Sequence, residues 1–133
     1  MPERTMRGNS PKQVRTIVDE SVKRARSRMG KAEPWVSTIT EAAFQRQIQE
    51  LAALLGFSHQ YHVKWSMQSA AGFPDLVLLA PTKGRTVFLE VKGPKGKLSP
   101  KQADWLEALR QAGNEAAAVW PKDWPLLYPS MDC

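Results

Sequence analysis

The chain has 133 residues, 42% hydrophobic and 24% charged, which fits one globular domain of ordinary size. No apolar run reaches the roughly 18 residues of a membrane-spanning helix, no signal peptide is recognisable, and Cys133 is the single cysteine, so we expect a cytoplasmic protein without disulfides or a membrane partner. The net charge of +6 favours a polyanionic partner such as nucleic acid.

The positive charge is concentrated at the N-terminus. Residues 1–33 hold nine Lys or Arg and four acidic residues, and so account for +5 of the net charge. The segment 11–30 starts with proline, carries spaced apolar residues and ends with glycine, which predicts a basic amphipathic helix. We therefore divide the chain into a basic helical arm over 1–35 and a main domain over 36–133. The arm could bind nucleic acid or present a solvated helix face, and its charge fits both.

The main domain begins with the predicted helix "TITEAAFQRQIQELAALLGF". Thr38 and Glu41 have capping-box spacing, and Gly56 suits the C-terminal cap. The apolar stripe of this helix consists of Phe44, Ile48, Leu51 and Leu55. Glu41 also continues that stripe toward the rest of the domain. Its carboxylate could therefore close the capping box or face a functional site.

Three strands, a helix and a fourth strand are predicted next. The strands are "HQYHVKWSMQ", "PDLVLLA" and "TVFLEVK", the helix is "LSPKQADWLEALRQAG", and the last strand is "EAAAVW". The proline-rich "PKDWPLLYPSMDC" follows as a tail. This order predicts an α/β fold with a mixed central sheet flanked by helices.

Two of the predicted strands carry charges inside apolar sequence. Side chains alternate along a strand, so Glu90 and Lys92 lie on one face of "TVFLEVK". Asp75 starts the preceding strand, and the short "APTKG" turn makes the two strands antiparallel, which brings Asp75 close to Glu90. Glu90 and Lys92 could form an ion pair on a solvated face. Alternatively, clustered carboxylates are hard oxygen ligands that suit Mg²⁺ or Mn²⁺.

A basic glycine loop, "GPKGK", separates the charged strand from the following helix. Ser99 and Gln102 have capping-box spacing, yet the helix also starts beside the charged strand end, where its N-terminus could face a phosphate. Lys95, Lys97 and Lys101 surround this point. These lysines could contact a nucleic-acid backbone or form a solvated loop.

The combination of Pro74-Asp75, Glu90-Val91-Lys92 and a preceding helix with Glu41 resembles the PD-(D/E)xK nuclease superfamily. Over residues 38–121, and especially in "GKLSPKQADWLEALRQAG", the sequence is more specifically similar to the VRR-NUC domain. The short chain looks like the stand-alone, often phage-encoded members. The resemblance implies a restriction-endonuclease-like αβββαβ core and a location in the cytoplasm of a bacterium or a phage-infected host.

The resemblance also implies roles for individual residues. Asp75 and Glu90 would bind the divalent metal, Mg²⁺ or Mn²⁺, with the Val91 carbonyl and with Glu41 directly or through water. Lys92 would position and help deprotonate the attacking water, and Gln102 would orient the site or contact phosphate. Asp75, Glu90, Lys92 and Gln102 are thus the expected catalytic set.

The function that the resemblance implies is metal-dependent hydrolysis of phosphodiester bonds in branched DNA, as in DNA repair and recombination. Stand-alone relatives suggest Holliday-junction resolution by a symmetric homodimer. The dimer surface could include the basic arm or the apolar tail residues Trp124, Leu126, Leu127 and Tyr128, although the tail could instead strap the core. A flap or single-strand nuclease and a catalytically idle nucleic-acid-binding module are the alternatives.

Overall fold

The structure is a computed structural model that describes residues 33–63 and 70–132. The predicted arm over 1–35 lies outside the described residues except for its last three positions. The second half of the first predicted strand, from position 64, also lies outside them, as does Cys133. The domain boundary predicted at residue 35 stays a prediction.

The described residues form one four-stranded mixed sheet with helices. The elements in chain order are α1 (Glu41–Leu54), β1 (His59–His62), β2 (Leu76–Ala80), β3 (Arg85–Val91), α2 (Pro100–Gln111), β4 (Glu115–Val119) and α3 (Trp124–Met131). The strands lie in the order β1-β2-β3-β4. The first two pairs are antiparallel, and β4 is parallel to β3. The predicted αβββαβ order and mixed sheet are therefore confirmed, with α3 in addition.

The core lies between the sheet and helices α1 and α3. The apolar face of α1 contributes Phe44, Ile48 and Ala52, all fully buried, and strand alternation directs Leu76 and Leu78 of β2 into the same cluster. No helix within residues 33–63 and 70–132 is long and apolar enough to cross a membrane.

The start of α1 differs from the prediction. A 3-10 turn over Pro34–Ser37 ends at Thr38, whose hydroxyl donates to the Trp35 carbonyl oxygen. Because this turn occupies Thr38, the N-cap is Thr40, which accepts a hydrogen bond from the Ala43 N–H at 3.1 Å. The predicted Thr38–Glu41 capping box is therefore wrong. The predicted cap at the other end is confirmed, since Gly56 follows the helix with a left-handed φ of 98°.

The proline-rich tail forms a 3-10 turn and a short helix. A 3-10 turn over Pro121–Asp123 leads into α3, which buries Leu127 and Met131 in the core cluster. Trp124 packs edge-to-face against Phe44 of α1, with ring centroids 6.3 Å apart. The tail was predicted to form either a dimer surface or a strap over the core, and these contacts support the strap.

The first residue of β3 ties this strap to the sheet. The Arg85 guanidinium donates two hydrogen bonds to the Glu115 carboxylate, at 3.0 and 2.7 Å. It also donates to the carbonyl oxygens of Ser130 and Met131, each at 3.3 Å, and lies over the Phe57 ring. A planar, multi-donor cation can satisfy several oxygens at once, so one side chain joins β3, β4 and α3.

Candidate active site

The candidate site lies at the edge of the sheet where β2 begins and β3 ends. The register pairs Leu76 with Leu89, so the next position along places Asp75 opposite Glu90. Asp75 Oδ2 accepts a hydrogen bond of 3.0 Å from the Val91 N–H, which fixes this carboxylate against the end of β3. The predicted proximity of the two acidic residues is thus a consequence of the antiparallel hairpin.

Glu90, Lys92 and Gln102 form a connected polar group. Gln102 Nε2 donates to Glu90 Oε2 at 2.9 Å, and Lys92 Nζ donates to Gln102 Oε1 at 2.8 Å. Lys92 Nζ also lies 3.5 Å from Glu90 Oε2. Glu90 is 3% exposed and Lys92 is 9% exposed, so the interpretation as an ion pair on a solvated face is wrong. The pair is enclosed because α2 covers this end of the sheet.

Gln102 has both of the functions that its spacing allowed. It completes the capping box of α2, since its N–H donates to Ser99 Oγ at 3.1 Å and its Oε1 accepts from the Ser99 N–H at 2.9 Å. The same side chain contacts Glu90 and Lys92. An amide has enough donors and acceptors for all these bonds. The capping box therefore fixes Gln102 in the site.

The electrostatics of Glu90 are unusual. The pKa of Glu90 is raised from an ordinary value of 4.5 to about 8, chiefly by burial and then by the nearby Asp75 carboxylate, while Lys92 opposes the rise. Glu90 Oε1 is buried and has no hydrogen-bond partner within residues 33–63 and 70–132. A buried oxygen acceptor without a donor is costly. The folded protein therefore holds an acceptor that suits a cation.

These observations fit a divalent cation. A positive charge beside Asp75 and Glu90 would offset the burial and the Asp75 repulsion that raise the Glu90 pKa, and carboxylate oxygens are the ligands that Mg²⁺ and Mn²⁺ prefer. However, no group of three His, Cys, Asp or Glu side chains converges on one point in the described ranges. The site therefore offers two carboxylates, and the remaining ligands would be backbone carbonyl, water or phosphate oxygens.

Glu41 lies near this site without joining the carboxylates. It is the first residue of α1 and its side chain is exposed. A Cβ placed on Gly93, directly after Lys92, would be 3.6 Å from the Glu41 Cβ, so the helix start abuts the loop that follows β3. Ligation of a metal by Glu41, directly or through water, stays a prediction.

The remaining predicted residues divide between core and surface. The Val91 side chain is fully buried, while its N–H binds Asp75. Lys95, Lys97 and Lys101 are exposed on the loop and the first turn of α2. The backbone of Lys101 lies against Gly72, where an added Cβ would be 2.7 Å from its carbonyl carbon. Contact of these lysines with a DNA backbone stays a prediction.

The sequence analysis missed the contribution of β4 to this edge. Since β3 and β4 are parallel, their C-terminal ends lie together, and the Lys92 N–H donates to the Val119 carbonyl oxygen at 2.9 Å. Trp120 and Lys122, assigned from sequence to the last strand and the tail, therefore lie beside the site. The signal was present in the strand order, because active sites of α/β sheets lie beyond the C-terminal ends of parallel strands.

Fold and site together define an α/β domain with acidic and basic side chains gathered at one sheet edge. The chain belongs to the VRR-NUC domain family, whose model matches residues 12–120. The match begins well before residue 38, where the resemblance noted from sequence begins, and so includes much of the basic N-terminal segment.

The chain is also similar to larger nucleases. It is 37% identical over 73 residues to Fanconi-associated nuclease 1 of Danio rerio, covering 51% of this chain and 7% of that protein. It is 46% identical over 48 residues to the Fanconi-associated nuclease 1 homolog of Caenorhabditis elegans, covering 36% of this chain and 6% of that protein. The chain thus spans a small part of these relatives. Family and relatives support a DNA nuclease.

Proposed function

We propose that the chain is a divalent-metal-dependent endonuclease that hydrolyses phosphodiester bonds in branched DNA. The observation that carries this proposal is the unsatisfied, buried Glu90 Oε1 beside Asp75, with Lys92 held next to it. A structural ion pair between Glu90 and Lys92 would not require a second acidic group, Asp75, at the same place.

In this proposal, Asp75 and Glu90 hold the cation together with the Val91 carbonyl. When bound, the cation supplies Lewis acidity toward phosphate oxygens and makes water acidic enough to be deprotonated near neutral pH. Glu41 contributes through water from the start of α1. This division agrees with the exposed position of Glu41 next to Gly93.

Lys92 is the proposed catalytic base or water-positioning group. Its Nζ is fixed by Gln102 Oε1 at 2.8 Å and by Glu90 Oε2 at 3.5 Å, so it cannot swing away into solvent. Gln102 is a positioning residue, since it holds both Glu90 and Lys92 and is itself fixed by the α2 cap. Lys95, Lys97 and Lys101 would contact the DNA backbone around the cut, because all three are exposed cations.

We further propose Holliday-junction resolution by a homodimer as the specific activity. Two symmetric cuts require two sites related by a two-fold axis, and one domain of this size supplies one site. The packing of α3 on the core leaves its exposed face, with Tyr128, as the part of the tail that could join a dimer. A cytoplasmic location and a phage-type origin stay predictions.

A substrate panel tests the proposal. The full chain is incubated with labelled four-way junctions, flaps, duplex and single strands in Mg²⁺, Mn²⁺ or EDTA, beside Asp75→Asn. We expect cleavage in either metal, none in EDTA, and none with the variant. Paired symmetric cuts in the junction support Holliday-junction resolution. Cleavage of flaps or single strands alone would instead favour the flap or single-strand nuclease.

The panel also separates the enzyme from an idle binding module. Binding is measured by anisotropy in EDTA over a salt series, where contacts to phosphates give a linear fall of log affinity with log salt. Salt-dependent binding without cleavage in any metal, with the wild-type chain folded, would disprove the nuclease and leave the binding module.

A further inference from the structure

A small apolar pocket opens next to the candidate site. Its volume is about 290 Å³, just below the roughly 300–1,000 Å³ of sites for drug-sized ligands. It is formed by the 3-10 turn before α1, the loop after β3 and the turn after β4. Its lining includes Ser37, Lys95, Trp120 and Lys122.

The wall of this pocket is held in place before any ligand arrives. The Trp120 indole N–H donates to the Gly96 carbonyl oxygen at 2.8 Å, which fixes the ring. The Trp120 backbone N–H donates to Asp123 Oδ2 at 2.8 Å, and Asp123 is fully buried. A fixed aromatic wall loses little entropy on binding, which favours a flat ligand.

The residue that fixes the Trp120 ring, Gly96, also contacts Lys92, the proposed catalytic lysine. Gly96 lies against the Lys92 side chain, since a Cβ on Gly96 would be 3.2 Å from Lys92 Cδ. Gly96 therefore contacts both Trp120 and Lys92. A nucleotide bound in the pocket would therefore lie near the bond that Lys92 serves in the proposed nuclease.

The charges at the rim of the pocket indicate which kind of ligand it could bind. Lys95 and Lys122 are both exposed and line the pocket, so an apolar interior has two cations at its rim. This combination of an aromatic wall and flanking positive charge is what a nucleotide needs, with its base inside and its phosphates outside. Few polar groups line the interior, so it offers little to read the hydrogen-bonding edge of a base.

We propose that this pocket takes one unstacked base of the DNA strand, next to the bond that is cleaved. The inference rests on the proposed nuclease function for its position relative to the cut. Extruding a base costs least where it is already unpaired. The pocket therefore selects DNA with unpaired nucleotides at the cleavage point, and accepts all four bases, since every base has a stacking face.

A matched pair of variants tests the pocket. Ser37→Phe fills it from an exposed lining position, and Thr38→Phe places the same ring one residue away, outside the lining. Both wild-type hydroxyls donate to the carbonyl oxygen three residues earlier, so both variants lose the same kind of bond. Circular dichroism and thermal melting verify that each variant is folded.

The probe is a forked duplex with two single-stranded arms. Affinity is measured by anisotropy in EDTA, where no cut occurs, while an abasic site is moved one nucleotide at a time along each arm. We expect one position to weaken binding by about 5- to 150-fold, as for loss of one stacked base. The effect should be abolished in Ser37→Phe and kept in Thr38→Phe. Placing 2-aminopurine there should show quenching on binding.

Other outcomes overturn the inference. Equal affinity at every abasic position, or equal behaviour of the two variants, excludes a base from the pocket. A change of sedimentation mass in Ser37→Phe without any abasic-site effect assigns the pocket to contact between chains. Cleavage in Mg²⁺ with no positional effect excludes base binding in the pocket and supports the nuclease. A positional effect without cleavage in any metal supports base binding and excludes the nuclease.

Discussion

Strand β3 has charged side chains at both ends. Partners balance the charge at its start, whereas the charges at its end are not balanced. At its start, Arg85 is matched by the Glu115 carboxylate and by two carbonyl oxygens of α3. At its end, Glu90 and Asp75 exceed what Lys92 can neutralise, and Glu90 Oε1 has no donor among the described residues. We interpret the balanced end as stabilising the fold, and the unbalanced end as the proposed cation site.

The largest expected effect is at the balanced end. Arg85→Ala leaves the Glu115 carboxylate, which is 13% exposed, without its two hydrogen bonds from the guanidinium. Removing one partner of a buried pair costs about 3–5 kcal/mol, so we expect the free energy of unfolding to fall by that amount in urea titrations. Glu107→Ala, which removes a more exposed pair with Arg110, should cost about 0.5 kcal/mol or less. Equal effects of the two variants would contradict the comparison.

The second prediction concerns catalysis at the unbalanced end. Lys92→Met keeps the length of the side chain against Gly96 and removes its charge. We expect the single-turnover cleavage rate to fall by about 10²- to 10⁴-fold, the range for loss of a positioned acid–base group. DNA affinity in EDTA should change less than fivefold. A rate within tenfold of wild type would exclude Lys92 from the proposed role.

The third prediction addresses how α2 is held beside the site. Gly72→Ala would bring a Cβ within 2.7 Å of the Lys101 backbone, at a φ of 88°. We expect a loss of about 1–3 kcal/mol in stability and a lower cleavage rate, because α2 must shift and carries Gln102 with it. Gly84→Ala, at a φ of 63° with no atom within 4 Å, is the control for backbone strain alone. It should cost about 1 kcal/mol and leave the rate unchanged.

The smallest expected effect is the pH dependence of the metal-free protein. Between pH 4.5 and about 8 the folded chain keeps a proton on Glu90 that the unfolded chain releases, so stability in EDTA falls as pH rises through this range. Glu90→Gln removes this penalty and should raise stability by about 1–2 kcal/mol at pH 8, with little change at pH 4.5.

The measurement for Glu90→Gln is thermal melting in EDTA and in Mg²⁺ at both pH values. Mg²⁺ should raise the melting temperature of the wild type and not that of the variant, because binding to the folded state alone is stabilising. Destabilisation of the variant at pH 8 in EDTA would show that the buried carboxylate is already compensated.

Several features of the site could be predicted from the sequence because they depend on local geometry. Strand alternation placed Glu90 and Lys92 on one face, and a short turn between two apolar runs made Asp75 the neighbour of Glu90. The capping-box spacing of Ser99 and Gln102 was also correct. What spacing could not show is that capping and site contacts coexist, since this depends on the position of α2 over β3.

Other features depend on contacts between distant segments. The Thr38–Glu41 capping box failed because a turn starting at Pro34 takes Thr38, and Thr40 then caps α1. The proline-rich tail forms α3 because Leu127 and Met131 gain burial against the core. Local composition disfavours a helix there, and tertiary packing outweighs that preference.

The sequence by itself determined the order of the elements from α1 to β4, the charged strand end and the family, because these follow from periodicity and from a motif spaced along the chain. Only the tertiary structure decided that Glu41 stays outside the pair of carboxylates, and that Trp120 and Lys122 form a pocket beside Lys92. The physical reason is that a parallel strand pair joins residues about thirty positions apart, and no local pattern encodes where their ends meet.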